Sequence, residues 1–270
     1  MKISVIRDDK IAGKDLGYLF YYEHPEKFFI EIPGHVDEWE SPLILSSLVR
    51  RGIRSVDAYW SGIWVQQRIV PVDRQNLGQI LRDNGLQDYN PYKLLMLGHG
   101  RCAQDSCYVK PIKEKDLPEE IKMRQIRKVD SVVPLSGEKL LIGFRDGSLQ
   151  IVEKDFCTRT HRRLQAYFQA FASFPEVTVE TGGAGITWGE GLTLSAEVLY
   201  HPEMQLDLKH DDLQKIVMRE IITTTEACKL LGCSRQYLDE LVRKKKLKPV
   251  KADVRNRLFW RSEITSFAEK

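Results

Sequence analysis

Long apolar runs and closely spaced cysteines are both missing from this chain of 270 residues. No window approaches the roughly 18 apolar residues that a membrane-spanning helix needs. The start, MKISVIRDDK, has no apolar stretch of signal-peptide length. Five cysteines form no dense framework in a chain of this size, which is typical of a reducing compartment. We therefore expect a cytoplasmic protein that has free thiols and no contact with a membrane.

Motifs of catalysis and of cofactor binding are missing as well. The sequence has no nucleophile elbow, no phosphate-binding loop with its lysine, and no dinucleotide fingerprint. His99, Cys102 and Cys107 lie close together, but a tetrahedral zinc site needs a fourth ligand, and none follows at a suitable spacing. The sequence therefore predicts no enzymatic activity, no metal and no cofactor.

The composition is that of a folded protein, with 42% hydrophobic and 29% charged residues, but the charge is unevenly divided. Residues 219–270 hold 13 Lys and Arg against 7 Asp and Glu, which leaves 28 against 31 for the preceding residues. Basic charge at one end of a chain is a hint of nucleic-acid binding, because cations displace the counterions condensed on phosphates. A solvated surface is the alternative explanation.

Two polar, highly charged stretches, residues 110–124 and 201–215, are interpreted as connectors that divide the chain into three parts. The predicted fold class is α+β and multidomain: two α+β domains, residues 1–110 and 125–202, precede a small winged helix-turn-helix at residues 219–270. Within the first part we predict a strand over 28–32 and helices from Ser41 and over 74–84.

The middle part is expected to contain a β-hairpin, then a helix over 159–171 and further strands. Its strongest signal is the pair Asp146-Gly147 between two apolar runs, LLIGF and SLQIVE. This part resembles domain of unknown function number 2442, whose members sometimes carry a helix-turn-helix beside this module. The matching residues are Leu141, Phe144, Asp146, Gly147, Phe174, Gly185, Trp188, Leu199 and Tyr200.

Residues 223–243 carry a continuous series of helix start and stop signals. Thr223 and Glu226 have the spacing of a capping box, and Gly232 is placed to end the first helix. Ser234 follows as the cap of a second helix, whose predicted buried side is Leu238, Leu241 and Val242. Two short helices joined by a tight turn can place the second one in the major groove of DNA.

A wing is predicted after the second helix. Residues 246–251 and 257–260 are expected to pair as a hairpin around the loop 252–256, before a last helix from Ser262. The sequence TTTEACKLLGCSRQYLDELVRKKKLKPV, followed by RLFWRSEI, resembles the excisionase-type and MerR-type winged modules over about 50 residues.

The resemblance implies which side chains of this chain would contact DNA. Residues of the second helix would meet base edges or phosphate: Arg235, Gln236 and Tyr237. Basic residues of the wing would clamp phosphates of the adjacent groove: Lys248, Lys251, Arg255 and Arg257. Arg243 and Lys244, at the end of the second helix, complete the predicted set.

Two features depart from the pattern of these modules. Lys245 stands where they usually have Gly, which is unfavourable if the position keeps a positive φ. Asp239 and Glu240 stand where many relatives have neutral or basic side chains, and carboxylates repel phosphate. The alternative for Asp239 is to accept a hydrogen bond from a cytosine amino group.

The leading hypothesis is a bacterial or phage-related transcriptional regulator that binds double-stranded DNA, with upstream domains that sense, dimerise or recruit. One winged module touches few base pairs, so a homodimer on a two-fold site is expected. The first alternative is a protein-interaction adaptor, such as a toxin–antitoxin-like component, whose helix-turn-helix binds a protein partner. The second is an enzyme with a DNA-targeting tail.

Overall fold

The computed structural model describes residues 1–11, 13–170, 173–189, 191–252 and 256–268. The chain forms two compact units. The first unit comprises Met1–Asp146 and Gln150–Met204, and the second comprises Gly147–Leu149 and Gln205–Lys270. Helices and antiparallel sheets occur together, which confirms the predicted α+β class. The proposed division into three domains stays a prediction.

A five-stranded antiparallel sheet, counted over the described residues, organises the start of the first unit in the order β4-β3-β2-β1-β5. Its strands are β1 Lys2–Asp8, β2 Asp15–Tyr22, β3 Lys27–Glu31, β4 Ser55–Val56 and β5 Cys107–Ile112. Successive side chains of a strand point to opposite faces. Ile6 and Leu19 enter one apolar cluster while Val5 and Phe20 enter another, so the sheet is covered on both faces.

Helices connect the strands, and most of them cover the faces of this sheet. They are α1 Ser46–Arg50, α2 Ala58–Gln66, α3 Leu77–Asp83, α4 Pro91–Leu97 and α5 Glu119–Ile126. Of these five, α3 buries no residue. Trp64 of α2 and Leu95 of α4 are fully buried on one face, and Ile121 of α5 is fully buried on the other. The predicted strand at 28–32 and helix at 74–84 are confirmed as β3 and α3. The helix predicted from Ser41 begins as a 3₁₀ turn at Leu43–Leu45 and continues as α1 from Ser46.

Residues 110–124, which charge and prolines marked as a connector, are in fact packed elements. They contain the end of β5 and most of α5, and their charges have specific partners. The buried carboxylate of Glu31 accepts hydrogen bonds from Lys128 Nζ at 2.6 Å and Ser55 Oγ at 2.7 Å, with an Arg124 guanidinium nitrogen 3.5 Å away. A buried carboxylate needs such partners to offset its desolvation, so the charge of this segment supports the fold.

The remainder of the first unit alternates short strands and helices. Its elements are β6 Val129–Leu135, β7 Lys139–Phe144, β8 Leu149–Glu153, α6 Lys154–Thr160, α7 Arg162–Ala170, β9 Thr178–Val179, β10 Gly185–Thr187, β11 Thr193–Ser195 and α8 Ala196–Leu199. β7 and β8 are hydrogen-bonded neighbours, which confirms the predicted hairpin. The single helix predicted over 159–171 is replaced by α6 and α7, and Phe171 lies outside the described residues.

Gly185 and Trp188 have identifiable packing roles in this part. A Cβ at Gly185 would lie 2.0 Å from the carbonyl oxygen of Leu194 in the adjacent strand, so only glycine fits. The indole nitrogen of Trp188 is buried and donates a hydrogen bond to the Phe174 carbonyl at 2.9 Å. These two residues therefore fix the approach of β10 to β11 and the aromatic core beneath them.

The second unit contains the predicted helix-turn-helix. Its elements are α9 His210–Glu220, β12 Ile221–Thr223, α10 Thr224–Leu231, α11 Arg235–Arg243, β13 Leu258–Trp260 and α12 Arg261–Ala268. Their apolar core includes the fully buried Ala227, Leu238, Phe259 and Ile264. In the part of the chain that the structure describes, no helix is long and apolar enough to cross a membrane.

Candidate nucleic-acid interface

The helix-turn-helix of the second unit is built by local capping bonds at the predicted residues. Thr223 is the N-cap of α10: its hydroxyl accepts from the Glu226 amide, and the Glu226 carboxylate accepts from the Thr223 amide at 2.8 Å. Gly232 ends α10 in the left-handed conformation with φ 60°. Ser234 then caps α11 by accepting from the Tyr237 amide at 3.2 Å. These bonds confirm the predicted helix boundaries.

α11 has one buried face and one exposed face. Leu238 and Leu241 are almost fully buried, and Val242 packs partly buried against the same core, as predicted. The exposed face carries Arg235, Gln236 and Tyr237 at its N-terminal end. These three predicted contact residues are therefore available to a ligand.

Arg235 is held by a residue that the sequence analysis missed. Its guanidinium donates to the hydroxyl of Thr225 in α10 at 2.7 Å. The contact restricts a long side chain and links the first turn of α10 to the first turn of α11. Its sequence signal is weak, because the two residues are brought together only by the turn between the helices.

The end of α11 and the residues after it present several basic side chains. Arg243, Lys244, Lys245 and Lys246 are all exposed. Lys244 forms an ion pair with Glu240 one turn earlier, which holds the pKa of the Glu240 carboxyl below its usual value. Lys245 has φ 57°, so it keeps the left-handed conformation that glycine would adopt more easily.

The predicted wing hairpin is confirmed in part. Residues 251 and 258 form an isolated antiparallel bridge, in which Leu258 N donates to Lys251 O at 3.0 Å and Val250 N donates to Leu258 O at 2.8 Å. Among the described residues of 246–252 and 256–260, the pairing does not extend into a ladder. The main partner of β13 is β12, in the register Ile221 to Trp260, Ile222 to Phe259 and Thr223 to Leu258. The apolar side chains of Ile222 and Phe259 are both buried, which favours this pairing.

The four predicted wing cations differ in their surroundings. Lys248 and Lys251 are exposed, and the backbone amide of Lys248 donates to Glu263 at 2.8 Å. Arg257 forms an ion pair with Asp239 on the exposed side of α11. Arg255 lies outside the described residues. The predicted set thus separates into exposed cations and one cation that is already paired.

The ion pair with Arg257 changes the electrostatic effect that Asp239 would have on a nearby phosphate. Unpaired, the carboxylate would repel a phosphate near α11. Pairing with a guanidinium cancels much of that repulsion and joins α11 to the residue that precedes β13. The alternative role for Asp239 was to accept a hydrogen bond from a cytosine amino group. In that role its carboxylate would have to accept from the base and from Arg257 at the same time.

The two cysteines beside the turn are small core residues, as expected. Cys228 and Cys233 are partly buried and pack against the apolar cluster of the domain. Burial and the neighbouring Cys233 raise the pKa of the Cys228 thiol above its usual value, which disfavours a reactive thiolate.

Comparison with known proteins agrees with this geometry. Residues 221–270 match the model of a family described as a helix-turn-helix domain. The match begins at β12, the strand that the sequence analysis did not predict, and it extends through the last helix. It does not support the resemblance of residues 125–202 to domain family 2442. No curated protein and no solved structure matches the chain.

Proposed function

We propose that the helix-turn-helix domain binds double-stranded DNA and that the chain regulates transcription. The observation that carries the proposal is the exposed first turn of α11, where Arg235, Gln236 and Tyr237 lie together above a closed apolar core. A helix about 10–12 Å across fits the major groove, which is about 12 Å wide. A guanidinium can bond guanine and a carboxamide can bond adenine, each through two hydrogen bonds.

Exposed cations near the end of α11 supply the second part of such an interface. Arg243, Lys246, Lys248 and Lys251 are exposed within nine residues of sequence. If each neutralises one phosphate, the logarithm of the binding constant falls with the logarithm of salt concentration with a slope of about −3 to −4 per domain. Phosphate contacts of this kind position a protein on the duplex, while base contacts select the sequence.

The arrangement of the chain supports a regulatory role. The first unit is compact and has its own apolar clusters, so it can carry a second function such as sensing a ligand or recruiting a protein. The resemblance of residues 223–264 to excisionase-type and MerR-type modules favours DNA as the partner of the second unit.

The experiment is to mix the full chain with sheared genomic DNA at near-physiological salt and to sequence the bound fragments. Enrichment of one motif supports a site-specific regulator. Retention of all fragments alike, lost on raising the salt, would reduce the function to non-specific phosphate contact. No retention at low salt would refute DNA binding and favour the adaptor that binds a protein partner.

Single substitutions then separate base contacts from phosphate contacts. We expect Gln236→Ala to relax selectivity at one base pair, at a cost of about 1–3 kcal/mol for the preferred site. Lys251→Ala should weaken binding to all sequences and reduce the salt slope by about 1. The control is Lys115→Ala, which removes one exposed cation from the first unit and should leave both quantities unchanged.

A further inference from the structure

α9 is an amphipathic helix with no buried residue, and it runs directly into the helix-turn-helix domain. Its apolar stripe is formed by Leu213, Ile216 and Val217, at the three- and four-residue spacing of one helical face. Ile216 is 44% exposed and Val217 is 52% exposed, although both are large aliphatic side chains. A helix in water is stabilised mainly by burial of such a face, so this stripe is incomplete without a partner.

The charges beside the stripe favour one partner, a second copy of the same helix. Asp212 in the first turn and Arg219 in the last turn lie seven residues apart, on the same flank of the stripe. When two copies lie antiparallel around a two-fold axis, each Asp212 faces the Arg219 of the other copy. Both side chains remain accessible, with Asp212 45% exposed and Arg219 85% exposed, although each also has a partner in its own chain, Lys215 at 3.2 Å and Glu220 at 3.5 Å.

We propose that α9 pairs with α9 of a second copy in antiparallel orientation and makes the chain a dimer. The two apolar stripes pack against each other between two pairs of Asp212 and Arg219. The antiparallel arrangement also places the N-terminal end of each helix beside the C-terminal end of the other, which suits their opposite dipoles. A symmetric contact of one surface with itself is the commonest way in which soluble proteins form dimers.

The size of the contact determines how the dimer behaves. A helix of 11 residues is about 16 Å long, so two such helices bury less than the roughly 1,600 Å² of a standard stable interface. We therefore expect a dimer that dissociates on dilution. The inference does not depend on DNA binding, and its test contains no DNA, so either proposal can fail alone.

The first test compares two substitutions on opposite faces of α9 in the full chain, by sedimentation over a range of protein concentrations. Ile216→Glu places a carboxylate in the stripe, and we expect it to shift the dimer dissociation constant upward by tenfold or more. Met218→Glu makes the same kind of change at the 76% exposed Met218 on the other side, and we expect dimerisation to persist. Circular dichroism of both variants controls for loss of the helix.

The second test determines orientation and keeps the inference falsifiable if Ile216→Glu does not fold. Arg219→Glu opposes two acidic residues in the antiparallel pair and should weaken it, whereas in a parallel pair residues 212 and 219 lie at different heights and do not face each other. Mixing Arg219→Glu with Asp212→Lys restores both ion pairs, so we expect mixed dimers although each variant alone is monomeric. A wild-type monomer at all concentrations, equal effects of the two stripe variants, or no mixed dimer would overturn the proposal.

Discussion

Lys245 has a backbone conformation that its side chain makes costly, and replacing it should stabilise the domain. The residue follows α11 with φ 57°. An L-residue in this left-handed region costs roughly 1–2 kcal/mol relative to its favoured conformations. Glycine removes this strain but loses about 0.5–1 kcal/mol through the greater freedom of the unfolded chain. Lys245→Gly should therefore increase the stability of the domain by about 0.5–1 kcal/mol.

The assay is hydrogen exchange in the full chain, followed at the amides of the buried residues Leu238 and Leu241. A gain of about 0.5–1 kcal/mol corresponds to roughly two- to fivefold slower exchange where the amides open with the domain. Lys246→Gly is the matched control, because it is an adjacent exposed lysine whose φ is not positive. It should accelerate exchange. If both substitutions accelerate exchange alike, the account of strain at Lys245 is wrong.

Three further predictions concern other contacts. Arg257→Ala frees the Asp239 carboxylate and should weaken DNA binding in gel-shift titrations, whereas Arg257→Ala combined with Asp239→Ala should recover part of the loss; equal binding by the two variants would contradict the screening role of the pair. Hydrogen bonds from Thr223 lower the pKa of Glu226 in the folded domain. The contribution of Glu226 to stability is therefore complete above the ordinary carboxyl pKa of about 4.3 and is lost as the pH falls through the lower folded pKa. NMR titration of the Thr223 amide should report this folded pKa, and a midpoint above about 4.3 would mean that the contacts destabilise the charged carboxylate. Gly185→Ala forces a Cβ to within 2.0 Å of a main-chain carbonyl and should cost about 3 kcal/mol in the unfolding of the first unit, an effect refuted by an unchanged denaturation midpoint.

The sequence predicted the helix-turn-helix because its signals are local. Each signal acts on residues within one helical turn: the cap at Thr223, the stop at Gly232 and the cap at Ser234. Residues adjacent in sequence are therefore sufficient to place the helix ends. The main partner of β13 was missed because strand pairing is decided over long separations in sequence. Ile221 and Trp260 meet across the whole domain, and the short strand β12 has no turn signal to identify it.

The first unit was less predictable for a different reason. Its central strand β2, DLGYLFYY, is buried on both faces, so it lacks the alternation of apolar and polar residues that identifies a half-buried strand. The charged segment 110–124 led to the opposite error, because it was predicted to be a connector and is part of the packed fold. Its charges have partners such as Glu31 that lie far away in sequence, and composition alone does not distinguish partnered charges from solvated ones.

The pairing of β12 with β13 brings two distant points of the chain side by side, because Ile221 lies opposite Trp260. α9 ends where this two-stranded ladder begins, and α12 starts where it ends. A displacement of α9 is therefore passed to β13 and α12 through the hydrogen bonds of this ladder, as well as to α10 along the chain. The segment that holds α10 and α11 is thus closed at both ends by one short ladder.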